Sequence, residues 1–226
     1  MLNIVTWYWG HKYPRDHVLK LVAGVERNLT QPHRIIVMSE QARIKYGGVV
    51  SLPIMDEHLI HQPGCVVRMR IFDPTWQASV GIMYDDRIVD LDIDAVITRP
   101  LDSLFDREED FVILQGINTT NPCPYNGSVF MLRAGAHADV WNDFSLEANR
   151  AVPWHSFPDD QGWMHHKIPN GAAWTVADGI YGFKKKDWPS GDSLPTNARI
   201  VAFPGWRDPS MPIFAKIPWI KQHWRI

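Results

Sequence analysis

Three aspartates occupy alternate positions in the run "IVDLDIDAV", residues 88–96: Asp90, Asp92 and Asp94, with Val89, Leu91 and Ile93 between them. In an extended run, side chains two apart leave the same face, ~6.6 Å per step, so the carboxylates form a row. One explanation is an amphipathic strand whose polar face meets water, and short alternating patterns of that kind are common. The other is a metal–diphosphate site. A hard divalent cation such as Mg²⁺ or Mn²⁺ takes carboxylate and phosphate oxygens and keeps positions open for a substrate. Two carboxylates at i and i+2 can divide that work, one binding the ion, the other binding it or a ribose hydroxyl. They would do so beyond the carboxyl end of a parallel strand, where ligands of open α/β sheets sit.

Other chemistry-bearing groups are weaker. "HSFPDDQGWMHH" brings together His155, Asp159, Asp160, His165 and His166, but neighbouring His165 and His166 point to different sides of a helix, and the spacing fits no zinc pattern. The run Lys184-Lys185-Lys186 is either a solvated face or the source of a lysine for a diphosphate. The 11 tryptophans offer flat faces for bases or sugar rings, and most are expected in the core. The end "IPWIKQHWRI" reads as docked packing, with peripheral membrane contact as the lesser alternative. Gly-x-Gly-x-x-Gly, a P-loop, Gly-x-Ser-x-Gly and His-Glu-x-x-His are all absent, which argues against dinucleotide enzymes, P-loop kinases, serine hydrolases and zincins.

The elements that must position these groups follow from pattern. "NIVTWYW" (3–9) predicts a first strand running into the loop "GHKYP". "RDHVLKLVAGVERNL" spaces Val18, Leu21, Val22 and Val25 for a helix, with Asp16 as its cap. "HRIIVMSE" and "GGVVSLPI" predict two more strands, so the opening is that of a parallel α/β sheet. "VVRMRIFDPTWQAS" predicts a helix that starts anew near Pro74, and "DRIVDLDIDAVI" (86–97) a single strand. "DFVILQG" and "GSVFMLRAG" predict strands, "AHADVWNDFSLEANR" one amphipathic helix, and "DDQGWMHHKI" another. The last third, punctuated by Pro189, Pro195, Pro204, Pro209, Pro212 and Pro218, predicts irregular structure.

Composition sets outer limits. The chain has 226 residues, 45% of them hydrophobic and 21% charged, which suits one globular domain spanning 1–226. A net charge of −2 gives no sign of a nucleic-acid surface. Cys65 and Cys123 cannot build a disulfide framework. No window approaches the roughly 20 apolar residues of a membrane span. The start lacks the pattern of a signal peptide, so a reduced, cytoplasmic setting is expected. The Asn-x-Ser/Thr matches at Asn28, Asn118-Thr119-Thr120 and Asn126 are then idle.

The stretch "VDLDIDAVITRPLDSLF" (89–105) resembles the Asp-x-Asp segment of GT-A-fold glycosyltransferases, in the group that includes glycogenin and the bacterial lipooligosaccharide galactosyltransferases. The following "VITRPLD" sets the register, making Asp92 and Asp94 the motif pair and leaving Asp90 as an extra acid. "NIVTWYWGHKY" resembles the first strand and loop that hold the nucleobase, which implies that Thr6, Trp9 and Tyr13 bracket the base. "RMRIF" resembles the segment whose basic residue, here Arg68, approaches the ribose or diphosphate. "YNGSVFMLR" resembles the strand start lining the sugar pocket, implicating Asn126, Gly127 and Ser128. "DDQGWM" resembles the helix start beside the transferred sugar, which implicates Asp160. "LPTNARIVAFPGWRDP" resembles the late loop over the diphosphate, with Gly205 and Arg207 closing on the phosphates.

Two positions depart from that group. Ala202 stands where a His supplies a third metal ligand, and Asp208 stands where a Lys meets the diphosphate, with Arg207 adjacent. The resemblance implies a GT-A-like α/β domain with a mostly parallel central sheet flanked by helices and an irregular Pro-rich C-terminal part. It implies transfer of a sugar, with retention, from a nucleotide donor such as a UDP-sugar to a saccharide or other hydroxyl acceptor, of the kind found in bacterial polysaccharide. Asp92 and Asp94 would hold Mn²⁺ or Mg²⁺, and Asp160 and Asn126 would serve the sugar. The alternatives are a non-catalytic nucleotide- or sugar-binding relative and a sugar nucleotidylyltransferase, whose Gly-rich first loop "WYWGHKYPRD" lacks.

Overall fold

The computed structural model describes residues 1–40, 45–118, 123–152 and 159–226. His155 and the Thr119-Thr120 pair lie outside the described residues. The strands, in chain order, are β1 (Leu2–Tyr8), β2 (His33–Ser39), β3 (Val50–Pro53), β4 (Arg87–Leu91), β5 (Val96–Ile97), β6 (Phe111–Gln115), β7 (Tyr125–Arg133), β8 (Ala172–Trp174), β9 (Ile180–Gly182) and β10 (Ile200–Ala202). A seven-stranded sheet has the order β3-β2-β1-β4-β7-β6-β8, and a three-stranded sheet the order β5-β10-β9. In the large sheet only β7 runs against its neighbours, β4 and β6; the other pairings are parallel. The expected mostly parallel sheet flanked by helices is therefore present.

Both faces of that sheet are covered. On one, Ile4, Val37, Val89 and Leu91 pack with Val18, Leu21, Val22 and Val25 of the helix Asp16–Asn28 and with Phe203, Trp219 and Trp224 from the last third. On the other, Val5, Trp7, Ile36 and Ile88 pack with Val66, Met69 and Phe72 of the 3-10 helix Val66–Phe72 and with Trp163 and Met164 of the helix Asp160–Lys167. Strand residues alternate between these two cores because successive side chains face opposite ways. Five of the tryptophans, Trp7, Trp163, Trp174, Trp219 and Trp224, are buried in the core, four others are half-buried, and Trp206 is 64% exposed.

Several local expectations need correction. Asp16 does not cap its helix: it is the first helical residue, where it suits the positive end of the helix dipole and pairs with Lys20 at 2.6 Å. The segment 136–150 is two short helices, Asp139–Asn142 and Leu146–Arg150. Ser145 breaks it by accepting a bond from the Ala148 amide, as a fresh N-cap. The segment around Pro74 does start anew, with Asp73 capping the helix Pro74–Ser79, but the part before it is 3-10 rather than α. The C-terminal third, though rich in turns, contributes β8 to the large sheet and β9 and β10 to the small one.

The largest correction concerns residues 86–97. They are not one strand: β4 stops at Leu91, and β5 belongs to the other sheet. Between them residues 92–95 form a turn closed by the Ala95 amide on the Asp92 carbonyl at 3.0 Å. Asp is favoured at the first position of such a turn. The alternation that reads as strand continues through the turn because Ile93 is still buried. The three carboxylates consequently do not form a row.

Candidate functional site

A cavity of about 410 Å³ opens at the carboxyl ends of β1 and β4, lined by residues including Trp9, Lys12, Tyr13, Cys65, Arg68, Asp92, Asp94 and Gly205. Two adjacent parallel strands ending at one level create this crevice, the usual ligand position in an open α/β sheet. Its floor is the turn between the two sheets. Its walls are the loop after β1 on one side and the loop after β10 on the other.

The three aspartates have three different environments. Asp90, within β4, is fully buried; it accepts from the Trp7 indole at 2.7 Å and from Arg68 at 3.1 Å. Burial pushes its carboxyl up to about 7, with Arg68 opposing. Asp92, at the strand end, keeps 30% of its side chain exposed and accepts from Arg68 at 2.7 Å. Asp94 is buried and accepts from the Tyr13 hydroxyl at 2.5 Å. Burial and repulsion from Asp92 push its carboxyl up to about 8, against the Tyr13 bond and the charge of Lys12. The Tyr13 phenol is itself raised by burial and by Asp94.

Arg68 is the centre of the polar cluster. The first turn of the 3-10 helix directs it onto Asp90, Asp92, the Gly127 carbonyl at 2.9 Å, and Asp160. Burial works against its charge, but Asp160, Asp92 and Asp90 together hold it above its ordinary value. Gly127 permits this approach. A Cβ there would lie 2.7 Å from an Arg68 nitrogen and 2.9 Å from an Asp160 oxygen. Asp160 is the first residue of its helix, which Asp159 caps through the Gln161 amide. Gln161 in turn faces Asn126 and the Gly127 amide, each at 3.4 Å.

The positions singled out in the sequence thus separate into groups. Trp9, Tyr13, Arg68, Asp92, Asp94 and Gly205 line the cavity. Asp160 and Asn126 are buried just behind it, joined to it through Arg68 and Gln161. Thr6 is not at the cavity, contrary to its expected contact with a base. It is buried in β1 on the face it shares with Ile4 and Tyr8, and its hydroxyl donates to the Leu91 carbonyl at 2.9 Å, holding β1 to β4. Ser128 is buried outside the lining, with its amide on the Asn126 side chain and its carbonyl accepting from the Asp92 amide. Arg207 is also outside the lining, with its guanidinium over the Trp206 ring. Burial and Arg207 lower the Lys185 ammonium, so these two cations share one edge of the structure.

Residues missed in the sequence also line the site. Lys12 and Cys65 do so from loops, where no periodicity reveals direction. Cys65 takes a left-handed conformation with φ 57°, and burial pushes its thiol up to about 12, which suits no nucleophile. His17 is fully buried and meets Asp208 at 2.9 Å. That bond and the Ser210 amide hold the Asp208 carboxyl low despite burial. A histidine beside Val18 on a helix could have signalled a polar tether.

His165 packs edge-on to Tyr125 and His166 tilts over Trp163, so they share no target. Among the described residues, no three of His, Cys, Asp and Glu are grouped to hold a metal by themselves. Asp92 and Asp94 nevertheless fit a hard cation. Two carboxylates are held close enough for mutual repulsion at a cavity floor, and a counter-charge there would relieve it. Among the described residues, no helix is long and apolar enough to cross a membrane.

No family model and no curated protein matches this chain. Solved structures do. An active-site mutant of LgtC aligns at 11% identity over 97% of this chain and 95% of that one, with TM-score 0.60. The galactosyltransferase LgtC in complex with donor and acceptor sugar analogues aligns at 11% identity over 99% and 97%, with TM-score 0.61. The glycosyltransferase GlyE of Streptococcus pneumoniae TIGR4 aligns at 10% identity over 94% of this chain and 57% of that one, with TM-score 0.64. At such identities the likeness is one of architecture, and the chain has a GT-A-like glycosyltransferase fold.

Proposed function

We propose that this protein transfers a sugar from a nucleotide donor, a UDP-sugar, to a hydroxyl of a saccharide-type acceptor, with retention at the anomeric carbon. The observation that carries this reading is the pair Asp92 and Asp94 on the floor of an aromatic-walled cavity at the carboxyl ends of β1 and β4. The fold shared with LgtC, which has been seen with donor and acceptor sugar analogues, supports it. Asp92 and Asp94 would hold Mn²⁺ or Mg²⁺, which when bound offsets charge on the departing nucleotide without a proton transfer. Trp9 and Tyr13 supply flat faces for the base. Arg68 keeps Asp92 and Asp160 in place and offers a fixed positive charge beside the leaving diphosphate. Asp160, with Asn126 behind it, is assigned to the donor sugar, where a carboxylate stabilises positive charge developing at the anomeric carbon. Gly205 lets the late loop turn over the cavity with φ 81°, and Arg207 and Lys185 are the cations available to phosphate at its edge.

The test is calorimetric titration of UDP, with and without Mn²⁺, into the wild type and Asp92→Asn. The expected outcome is binding that needs the metal and disappears in the variant; a screen of UDP-sugars for hydrolysis then finds the donor. Metal-independent binding that survives the substitution would overturn the reading. A second reading, a donor-binding protein without turnover, is favoured by Ala202 and by the engagement of Asp94 with Tyr13. Metal-dependent UDP affinity with no hydrolysis or transfer of any donor would select it.

A further inference from the structure

We propose that Tyr13 is a positioning residue that competes with the divalent cation for Asp94. In this proposal the loop carrying it, residues 9–15, is a strap across the cavity that cation loading releases. The proposal rests on the reading of Asp92 and Asp94 as the cation pair. Three polar contacts join the N-terminal part of the chain to the far end of the cavity. The Tyr13 hydroxyl donates to Asp94 Oδ2 at 2.5 Å. The Lys12 ammonium donates to the Gly205 carbonyl at 3.1 Å and lies 4.5 Å from the Tyr13 ring centre. His17, at the start of the following helix, holds Asp208 at 2.9 Å and packs against the Tyr13 ring with 5.0 Å between centres.

Gly10, Lys12 and Tyr13 line one wall, and Phe203, Pro204 and Gly205 the other, so the Lys12–Gly205 contact bridges the two walls, Tyr13–Asp94 ties the first wall to the floor, and His17–Asp208 holds the loop from outside the lining. The chain thereby supplies its own substitutes for a bound ion. Tyr13 gives Asp94 a proton donor, and Lys12 gives the pair a positive charge. A divalent ion on the same carboxylate repels both, because its charge faces the phenolic proton and the ammonium across a partly desolvated space. Loading therefore has to break the Tyr13–Asp94 bond and loosen the Lys12–Gly205 tie. It frees Lys12 for an anionic group of the donor and Tyr13 for the base. His17–Asp208 does not touch the pair, so it is the hinge-side anchor that stays.

The experiment measures Mn²⁺ affinity by calorimetry, and by the paramagnetic signal of free Mn²⁺, in wild type, Tyr13→Phe, Lys12→Met and Asp94→Asn. Thermal unfolding serves as the fold check. Tyr13→Phe is expected to bind Mn²⁺ about tenfold more tightly, the order set by one hydrogen bond to a charged group. Lys12→Met is expected to shift the same way, and its exposed position keeps the test open should the phenylalanine variant misfold. In wild type, Mn²⁺ is expected to raise deuterium uptake in residues 10–14. A merely structural role for Tyr13 would weaken binding, not strengthen it. Unchanged or weaker affinity in both variants, with Asp94→Asn abolishing binding, would overturn the strap and leave the cation pair standing. Wild-type affinity in Asp94→Asn, or no Mn²⁺ binding in any variant, would remove the pair and the strap together.

Discussion

At the scale of single residues, the site is a problem of too many carboxylates for one cation. Arg68 serves Asp90, Asp92 and Asp160 at once, and burial, with repulsion between the acids behind it, holds the Asp90 and Asp94 carboxyls well above the ordinary range. Arg68→Met fills the space but leaves three acids without a counter-charge. It is expected to cost about 3–5 kcal/mol of stability at pH 8, as the breaking of a buried ion pair does. The loss should be visibly smaller at pH 5, where the carboxyls can protonate. Urea unfolding at the two pH values checks this, and equal losses at both would mean that Arg68 acts through packing alone. The sequence identified Arg68 by its resemblance to a segment near the nucleotide; its role as the tie between acids comes from three separate elements meeting, which no local pattern encodes.

At the scale of elements, the decisive feature is where strands stop. The Asp92 amide still reaches the Ser128 carbonyl opposite it on β7, and β4 ends there because the chain then closes its turn with the Ala95 amide on the Asp92 carbonyl. β7 carries Gly127 where the Arg68–Asp160 pair crosses the strand, and a Cβ there would force the ends of those two side chains to shift. Gly127→Ala is therefore expected to destabilise by about 1–3 kcal/mol, the range for overpacking. It should couple with Arg68→Met, because both act on the same contact: the double variant is expected to lose less than the sum of the singles. A double-mutant cycle in urea measures this, and strict additivity would count against the contact. The strands β1, β2, β4, β6 and β7 were legible because runs of five to nine residues rich in apolar, β-branched and aromatic side chains, bounded by turn residues, mark strands covered on both faces. The boundary inside 86–97 was not, since a turn with a buried Ile93 keeps the same period as a strand.

At the scale of the whole molecule, the raised carboxyls make stability depend on pH. Asp90 is pushed up to about 7, and Asp94 and Asp159 to about 8, whereas in the unfolded chain such groups titrate near ~4. Between those values the folded chain holds more protons than the unfolded one, so their contribution is full at low pH and is lost as pH rises through 7 to 8. Asp102, Glu109 and Asp208 are held low; their contributions are lost only in acid and do not change in this window. The metal-free protein is expected to unfold at a temperature about 5 °C lower at pH 8.5 than at pH 5.5. The difference should shrink in Asp94→Asn. A flat or rising profile by calorimetry would contradict the burial of these acids.

Read alone, the chain specified the class of fold and pointed to six of the residues that line the cavity, Trp9, Tyr13, Arg68, Asp92, Asp94 and Gly205. Apolar period and the order of strand and helix specify a parallel α/β sheet, and the crevice then forms where parallel strands end. The choice of Asp92 and Asp94 over Asp90 and Asp92 is what the resemblance through "VITRPLD" implies, since both pairs are two residues apart. Packing alone decided that Asp90 is a buried partner of Arg68 and Trp7, that the Thr6 hydroxyl is spent on the Leu91 carbonyl, and that Tyr13 reaches Asp94. It decided too that Asp208 answers to His17 across the chain. Each of these depends on which sheet face or loop wall a side chain enters. That is fixed by packing between segments 81 to 191 residues apart in these contacts, save the 22 that separate Arg68 from Asp90, and local pattern carries no trace of it.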